Sequence, residues 1–237
     1  GVECDLVPTK DGELIIRHEN WLNGTTNVAS VAKFQGSESS GYSDGLTETG
    51  WFSEDYNFVE LSELRAIERM PDTRPGSAKF DGQFLIPTID DLLAAEFMNG
   101  KTLVIEIKHG MHFMENGINM AEILAGKLDQ SDWNERGISI IIETFDEKML
   151  EHLRDECGPD KKYVFLTELD RLPKGSTRMS REYLDSLASR FDGVSVDLAL
   201  ALDLDSAGNH TIDNGLIDEA KAAGLMVYGW TLRAEDA

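Results

Sequence analysis

Residues 88–109, TIDDLLAAEFMNGKTLVIEIKH, change their period halfway along. Thr88 precedes an apolar pattern with helical spacing, and Asp91 stands three residues on, where a capping box needs its acid. That pattern predicts a helix over 89–98, closed by Gly100. Residues 102–107 are then short, apolar and β-branched, which predicts a buried strand. Two charged residues, Glu106 and Lys108, close that strand two positions apart and so share a face.

The same beat continues toward the C-terminus. Helices are expected over 120–128, 146–156, 180–191 (capped by Ser180) and 214–223 (ended by Gly224). Strands are expected over 138–143, 163–166, 193–196 and 225–231. Toward the N-terminus, residues 2–6 alternate, with Glu3 and Asp5 on one face and Val2, Cys4 and Leu6 on the other. Lys10-Asp11-Gly12 supplies a tight turn, and residues 14–17 follow as a second strand. Residues 20–88 break the rhythm. They are rich in Gly, Ser, Thr and Asn and look helical only over 59–69, so they read as a loop-rich insertion after the strand that ends at His18.

Short apolar strands alternating with amphipathic helices imply βαβ units and a parallel sheet. Seven strands are counted, one short of a closed (β/α)₈ barrel. The expectation is therefore a single α/β domain over 1–237, a TIM-type barrel that is incomplete, with its first strand and final helix absent. A doubly wound open sheet is the rival, but no GxGxxG or GxxxxGK loop follows any strand.

Composition narrows the function classes. Lys and Arg total 22 against 44 Asp and Glu, a formal charge of −22, so neither a nucleic-acid partner nor docking on anionic lipid is expected. No apolar run approaches the ~18 residues of a spanning helix. The two cysteines, Cys4 and Cys157, make no disulfide framework.

The candidate chemistry lies at strand ends, where (β/α)₈ enzymes carry their active sites. Glu3, Asp5 and Glu106 together form an all-oxygen ligand set suited to Mg²⁺ or Ca²⁺, whereas Zn²⁺ would prefer nitrogen or sulfur. Lys108 and His18 fall in the same layer. Taken singly, an ExD pair is more often a solvated strand face, and ExK a surface ion pair worth ~0–1 kcal/mol. Their convergence favours a site. His109 and His112 have HxxH spacing but no third nitrogen or sulfur ligand beside them, so zinc is disfavoured.

The run 3–12 (ECDLVPTKDG), then Arg17-His18-Glu19 and Gly24-Thr25-Thr26, resembles the glycerophosphodiester phosphodiesterase family, periplasmic-type branch. That family carries ExD, TKDG, H[DE] and TT in this order. IEIKH then matches its ExK strand, IIETFDEKML a Q-S-F-type segment, and DGVSVD and YGWTLR its later strands. The resemblance implies metal-dependent hydrolysis of a glycerophosphodiester to glycerol 3-phosphate and an alcohol. It implies Glu3, Asp5 and Glu106 as metal ligands for Ca²⁺ or Mg²⁺, His18 as a catalytic proton donor, and Lys108 and Trp230 as substrate-binding residues. It also implies a periplasmic or extracellular location. The family's His-Arg pair would precede Gly1, so hydrolysis by residues 1–237 alone is expected to be impaired. Two other readings suit the same residues. One is enolase-type proton abstraction with Lys108 as base; the other is a non-catalytic homologue that binds glycerophosphodiesters.

Overall fold

Alternation at the N-terminus produces β1 (Val2–Pro8), with Cys4, Leu6 and Val7 buried. A tight turn follows, in which Thr9 Oγ1 donates to Asp11 Oδ1 (2.6 Å) and accepts from the Glu13 amide (2.9 Å). Gly12 turns the chain back at φ +79°, a conformation that suits glycine. The returning β2 (Leu14–Ile16) pairs antiparallel with β1, Leu6 opposite Ile16 and Pro8 opposite Leu14. Residues 14–17, expected as a second strand after the Asp-Gly turn and counted toward the barrel, form the antiparallel second arm of a hairpin over 14–16. The physical reason is the turn: a connection this short reverses the chain, and parallel neighbours need a crossover of a dozen residues or more.

In the computed structural model, residues 1–43, 45–172 and 175–232 are described. The chain divides into two compact units, Gly1–Ser139 and Ile140–Ala237. In the first, the segment after His18 contains a second hairpin, β3 (Ser39–Ser43) against β4 (Leu46–Gly50), and two single-turn helices, α1 (Phe58–Leu61) and α2 (Pro75–Ala78). It has apolar anchors of its own. Leu22, Val28, Phe34, Trp51, Leu61, Leu64 and Ile86 pack with Val7 and Ile15 of the first hairpin.

The helix expected over 59–69 stops at Leu61. Asn27 competes for the backbone beyond it: its Oδ1 accepts the Arg65 amide (2.7 Å), and its own amide donates to Arg65 O (3.0 Å). The Ile67 amide in turn reaches Thr25 O (3.0 Å). These tertiary bonds outweigh a modest helix propensity. The helix expected over 89–98 is also shorter, α3 (Ile89–Ala94), although its Thr88–Asp91 capping box is formed. Arg136 donates to the carbonyls of Leu93 and Ala95 and so ends the helical ladder.

The strand β5 (Thr102–Ile107) runs parallel to β1, with Cys4 opposite Ile105 and Asp5 opposite Glu106. Leu103, Ile105 and Ile107 are buried. Two helices follow, α4 (Gly110–Glu115) and α5 (Met120–Gln130), the latter burying Met120, Leu124 and Leu128 at helical spacing.

The second unit repeats strand, helix, parallel strand. Its order is β6 (Ser139–Thr144), α6 (Glu147–Cys157), β7 (Lys162–Thr167), α7 (Arg181–Ala188) and β8 (Gly193–Asp197). Then come α8 (Leu198–Ala201), the small hairpin β9 (Leu202–Leu204) and β10 (His210–Asp213), α9 (Leu216–Ala222) and β11 (Met226–Trp230). Within this unit β6, β7, β8 and β11 are parallel neighbours in that order. Asp146 and Ser180 cap α6 and α7. Among the described residues, all seven strands counted from sequence are formed: two parallel strands in the first unit and four in the second, with β2 as the one antiparallel member. No helix among the described residues is long and apolar enough to cross a membrane.

Candidate active site

The parallel register of β1 and β5 sets the site. Asp5 and Glu106 are direct partners, and Glu3 lies two residues from Asp5 on the same face. One carboxylate oxygen from each of Glu3, Asp5 and Glu106 lies within 4.8 Å of the other two. Cys4, between two of the acids, points into the core at 5% exposure. Burial, first, and the neighbouring acids push its thiol far up, so it is a packing residue here.

The Lys108 amide bonds to Leu6 O (3.2 Å) and the Arg17 amide to Asp5 O (2.9 Å), which brings the two strand ends alongside β1. Lys108 Nζ then lies 2.8 Å from Glu106 Oε1, 3.4 Å from Asp5 Oδ1 and 3.0 Å from His18 Nε2. Glu106 and Lys108 are 7% and 6% exposed, so these charges are largely out of water. Burial opposes the ammonium, but Glu106 and Asp5 outweigh it and raise the pKa of Lys108.

One ammonium does not neutralise three carboxylates. Loss of solvent, followed by the like charge of Asp5, pushes Glu3 up to about 7. Although Glu3 as a residue is exposed, its carboxyl end is crowded by these neighbours. Glu106 is likewise raised, by burial first and by Asp5, against the pull of Lys108. Glu106 Oε1 is buried with the Lys108 ammonium 2.8 Å away and has spare acceptor capacity. Clustered, dehydrated carboxylates with unused acceptor capacity are the donor set of a hard divalent cation. The residues present fit such an ion.

His18 follows β2 and is held from its other ring nitrogen. Its Nδ1 is 3.1 Å from Glu19 Oε1, and Arg69 Nη1 reaches that same oxygen at 2.7 Å. Arg17 donates Nε to Glu19 O (3.2 Å) and Nη2 to Trp21 O (3.3 Å) and to Thr25 Oγ1, which ties down the turn that carries His18. Beside His18 opens a cleft of about 370 Å³, walled by Ile67, Arg69, Arg74, Phe80 and Phe84.

Five of the six residues singled out from sequence, Glu3, Asp5, His18, Glu106 and Lys108, thus gather at one place in the first unit. Trp230 belongs to the second, at the end of β11. There its indole donates to Ser195 O (3.3 Å) and meets Phe145 edge-on at 5.4 Å. Glu19 was visible in the H[DE] motif without a role. Arg69 carried no sequence signal, because an arginine in an irregular segment looks like any solvated charge.

The whole chain, residues 1–237, matches the profile of the glycerophosphoryl diester phosphodiesterase family. It is 26% identical over 236 residues to the glycerophosphodiester phosphodiesterase GDPDL1 of Arabidopsis thaliana, covering 95% of this chain and 29% of that one. A second Arabidopsis relative, glycerophosphodiester phosphodiesterase GDPD6, is 30% identical over 123 residues, 51% of this chain and 32% of the relative. The chain therefore spans less than a third of the length of these plant relatives. Among solved structures, one from Silicibacter pomeroyi superposes with a TM-score of 0.69 at 19% identity, covering 97% of this chain and 72% of that one. The glycerophosphodiester phosphodiesterase of Thermotoga maritima gives 0.56 at 16% identity, covering 100% and 74%. At such identities the likeness shows the fold, which is α/β of the TIM-barrel class. From the full-length family match, this chain belongs to the glycerophosphoryl diester phosphodiesterase family.

Proposed function

We propose that the protein hydrolyses glycerophosphodiesters to glycerol 3-phosphate and an alcohol with the help of a divalent cation, Ca²⁺ or Mg²⁺. The observation that carries this reading is the Glu3–Asp5–Glu106 cluster with Lys108 and His18 in contact beside it. Glu3, Asp5 and Glu106 would hold the cation. When bound, it supplies charge neutralisation at the phosphoryl group and an acidified water.

The chain's own residues supply the rest. Lys108, kept cationic by Glu106 and Asp5, binds a non-bridging phosphoryl oxygen as a point charge and stabilises the charge that builds there. His18 acts as an imidazolium: it gives the Nε2 proton, at the ring atom that faces Lys108, to the departing alkoxide and is left as the neutral ring with its proton on Nδ1. Its Nδ1 stays engaged by Glu19 throughout. The cleft beside His18 receives the substrate's alcohol. Substrate binding by Trp230, whose indole N–H is engaged by Ser195 O, belongs to the same proposal by family resemblance alone. The family match supports the substrate class. Export to the periplasm or the cell exterior belongs to the same reading.

The test is release of glycerol 3-phosphate from glycerophosphocholine by the full-length protein with Ca²⁺ or Mg²⁺, beside its His18→Ala variant. The variant is expected to lose ~10²–10⁴-fold in kcat. Wild-type protein that releases no glycerol 3-phosphate with either ion, or a variant with unchanged kcat, overturns the assignment. Exchange of an α-proton on a carboxylate substrate without diester cleavage would favour the enolase-type chemistry instead.

A further inference from the structure

The arginine, glutamate and paired threonines of the RHE…TT motif take no chemical step in the mechanism above, yet they build the turn that carries its histidine. Glu19 Oε1 lies 3.1 Å from His18 Nδ1. Arg69, fifty residues along the chain, donates to that same oxygen at 2.7 Å. Arg17 bonds to the backbone of Glu19 and Trp21 and to the Thr25 hydroxyl, so the turn has little freedom. Thr26 Oγ1 donates to Leu22 O (2.8 Å) and closes the turn on its inner side.

We propose that Glu19 is the positioning residue of His18, fixing the imidazole in its Nδ1–H tautomer with Nε2 turned toward Lys108, and that Arg69 locks Glu19 in place. The inference rests on the hydrolytic reading of His18.

The chemistry of the two ring nitrogens carries it. A histidine that must exchange a proton at one nitrogen needs the other held as a donor, and a carboxylate is the strongest neutral-pH partner for that N–H. Here Nε2 faces an ammonium, which can only donate, so in the neutral ring Nε2 is the acceptor and the proton sits on Nδ1. Among the described residues, the Glu19 carboxylate receives it there. Glu19 itself stays ionised: the hydrogen bond from His18, acting against burial and helped by Arg69, holds its carboxyl down at about 2. The charged groups that face the ring are Lys108 from β5, Glu3 from β1, and Glu19 with Arg69 from the segment after β2. Arg69 does not touch His18 in any of these contacts; it acts through the shared oxygen. Because that cation comes from the wall of the substrate cleft, the histidine is oriented by the same segment that shapes the cleft.

Two readouts test the proposal. In ¹⁵N-labelled protein, the neutral His18 ring is expected to carry its proton on Nδ1. Glu19→Ala should leave the proton on Nδ1, because Lys108 still donates to Nε2, but should strip that N–H of its acceptor so that its signal is lost to exchange with water, while Glu19→Gln, which keeps an acceptor, should retain the protected N–H. In steady-state hydrolysis, Glu19→Ala should lower kcat by about 10–100-fold with KM within about twofold, as losses of orienting partners do. Arg69→Ala should lower it less, and Arg69→Lys should restore most of the loss. An Nδ1–H that stays protected from exchange in Glu19→Ala, or a kcat within about twofold of wild type, overturns the proposal. If Glu19→Ala does not fold, a kcat in Arg69→Ala equal to wild type overturns the lock. The tautomer measurement needs no substrate, so failure of Glu19 is distinguishable from failure of the hydrolytic assignment.

Discussion

Asp5 and Glu106 stand directly opposite each other across the parallel pair β1–β5. Parallel neighbours lie about 4.8 Å apart, so two carboxylates in register on one face must meet unless a cation or a proton separates them. Glu3 adds a third oxygen to the same spot. Calcium titrated calorimetrically into the chain should therefore bind at one site. Glu106→Gln should weaken it by more than about 100-fold, beyond the 10–100-fold typical of outer-shell changes. Unchanged affinity would place the ion elsewhere.

The proton competes for the same oxygens. Glu3 titrates at about 7, and Glu106 is also raised, so a cation must displace protons there at and below neutrality. Affinity should fall by roughly tenfold or more between pH 7.5 and pH 6, and binding should release protons, visible as a buffer-dependent heat. A flat affinity over that range would mean that the carboxyls are already ionised without the metal.

Much of this was legible in the sequence because it is set by local rules. Alternation put Glu3 and Asp5 on one face, and the ExK spacing did the same for Glu106 and Lys108; the capping residues Thr88, Asp146 and Ser180 marked three helix starts. Where the reading departed from the structure, a distant partner decided. Asn27 took the backbone of Arg65 and ended α1, and Arg136 took the carbonyls that would have extended α3. The strand at 14–16 and the tight turn before it were legible from Asp11-Gly12, but its place in a barrel count was not, because a buried apolar triplet looks the same in either strand direction. Arg69 reaches Glu19 across fifty residues of irregular chain, and no periodicity encodes such a contact.

Lys108 separates catalytic from metal-holding roles. Lys108→Met should lower kcat of the full-length protein by ~10²–10³-fold, the loss expected when one donor to a developing oxyanion is removed. Its calcium affinity should be preserved or raised, since a cation 2.8 Å from Glu106 and 3.4 Å from Asp5 has been taken away. Calcium binding lost together with activity would make Lys108 a structural member of the carboxylate cluster rather than a phosphoryl ligand.

A half-buried carboxyl, remote in role from the site, allows a stability test. Glu54 Oε1 accepts from Asn20 Nδ2 (2.8 Å), and its Oε2 is 3.3 Å from Ser53 Oγ. The Ser53 hydroxyl also donates to Pro8 O (2.8 Å), and one proton shared between two acceptors satisfies an ionised Oε2 poorly. Burial raises Glu54 to about 7, which agrees with a protonated carboxyl. Below pH 4.5 folded and unfolded chains both hold that proton, and Glu54 exacts no penalty. Between pH 4.5 and about 7 the unfolded chain gives it up first, so stability falls as pH rises and stays lowered above 7. Gln places a permanent N–H where the carboxyl needs its proton. Glu54→Gln should therefore stabilise the protein at pH 8 by about 1–3 kcal/mol and by close to nothing at pH 4.5, read as the difference in unfolding free energy at each pH. An equal effect at both pH values, or destabilisation at pH 8, would show that Glu54 is ionised in the folded protein and that Ser53 turns its hydroxyl away from Pro8.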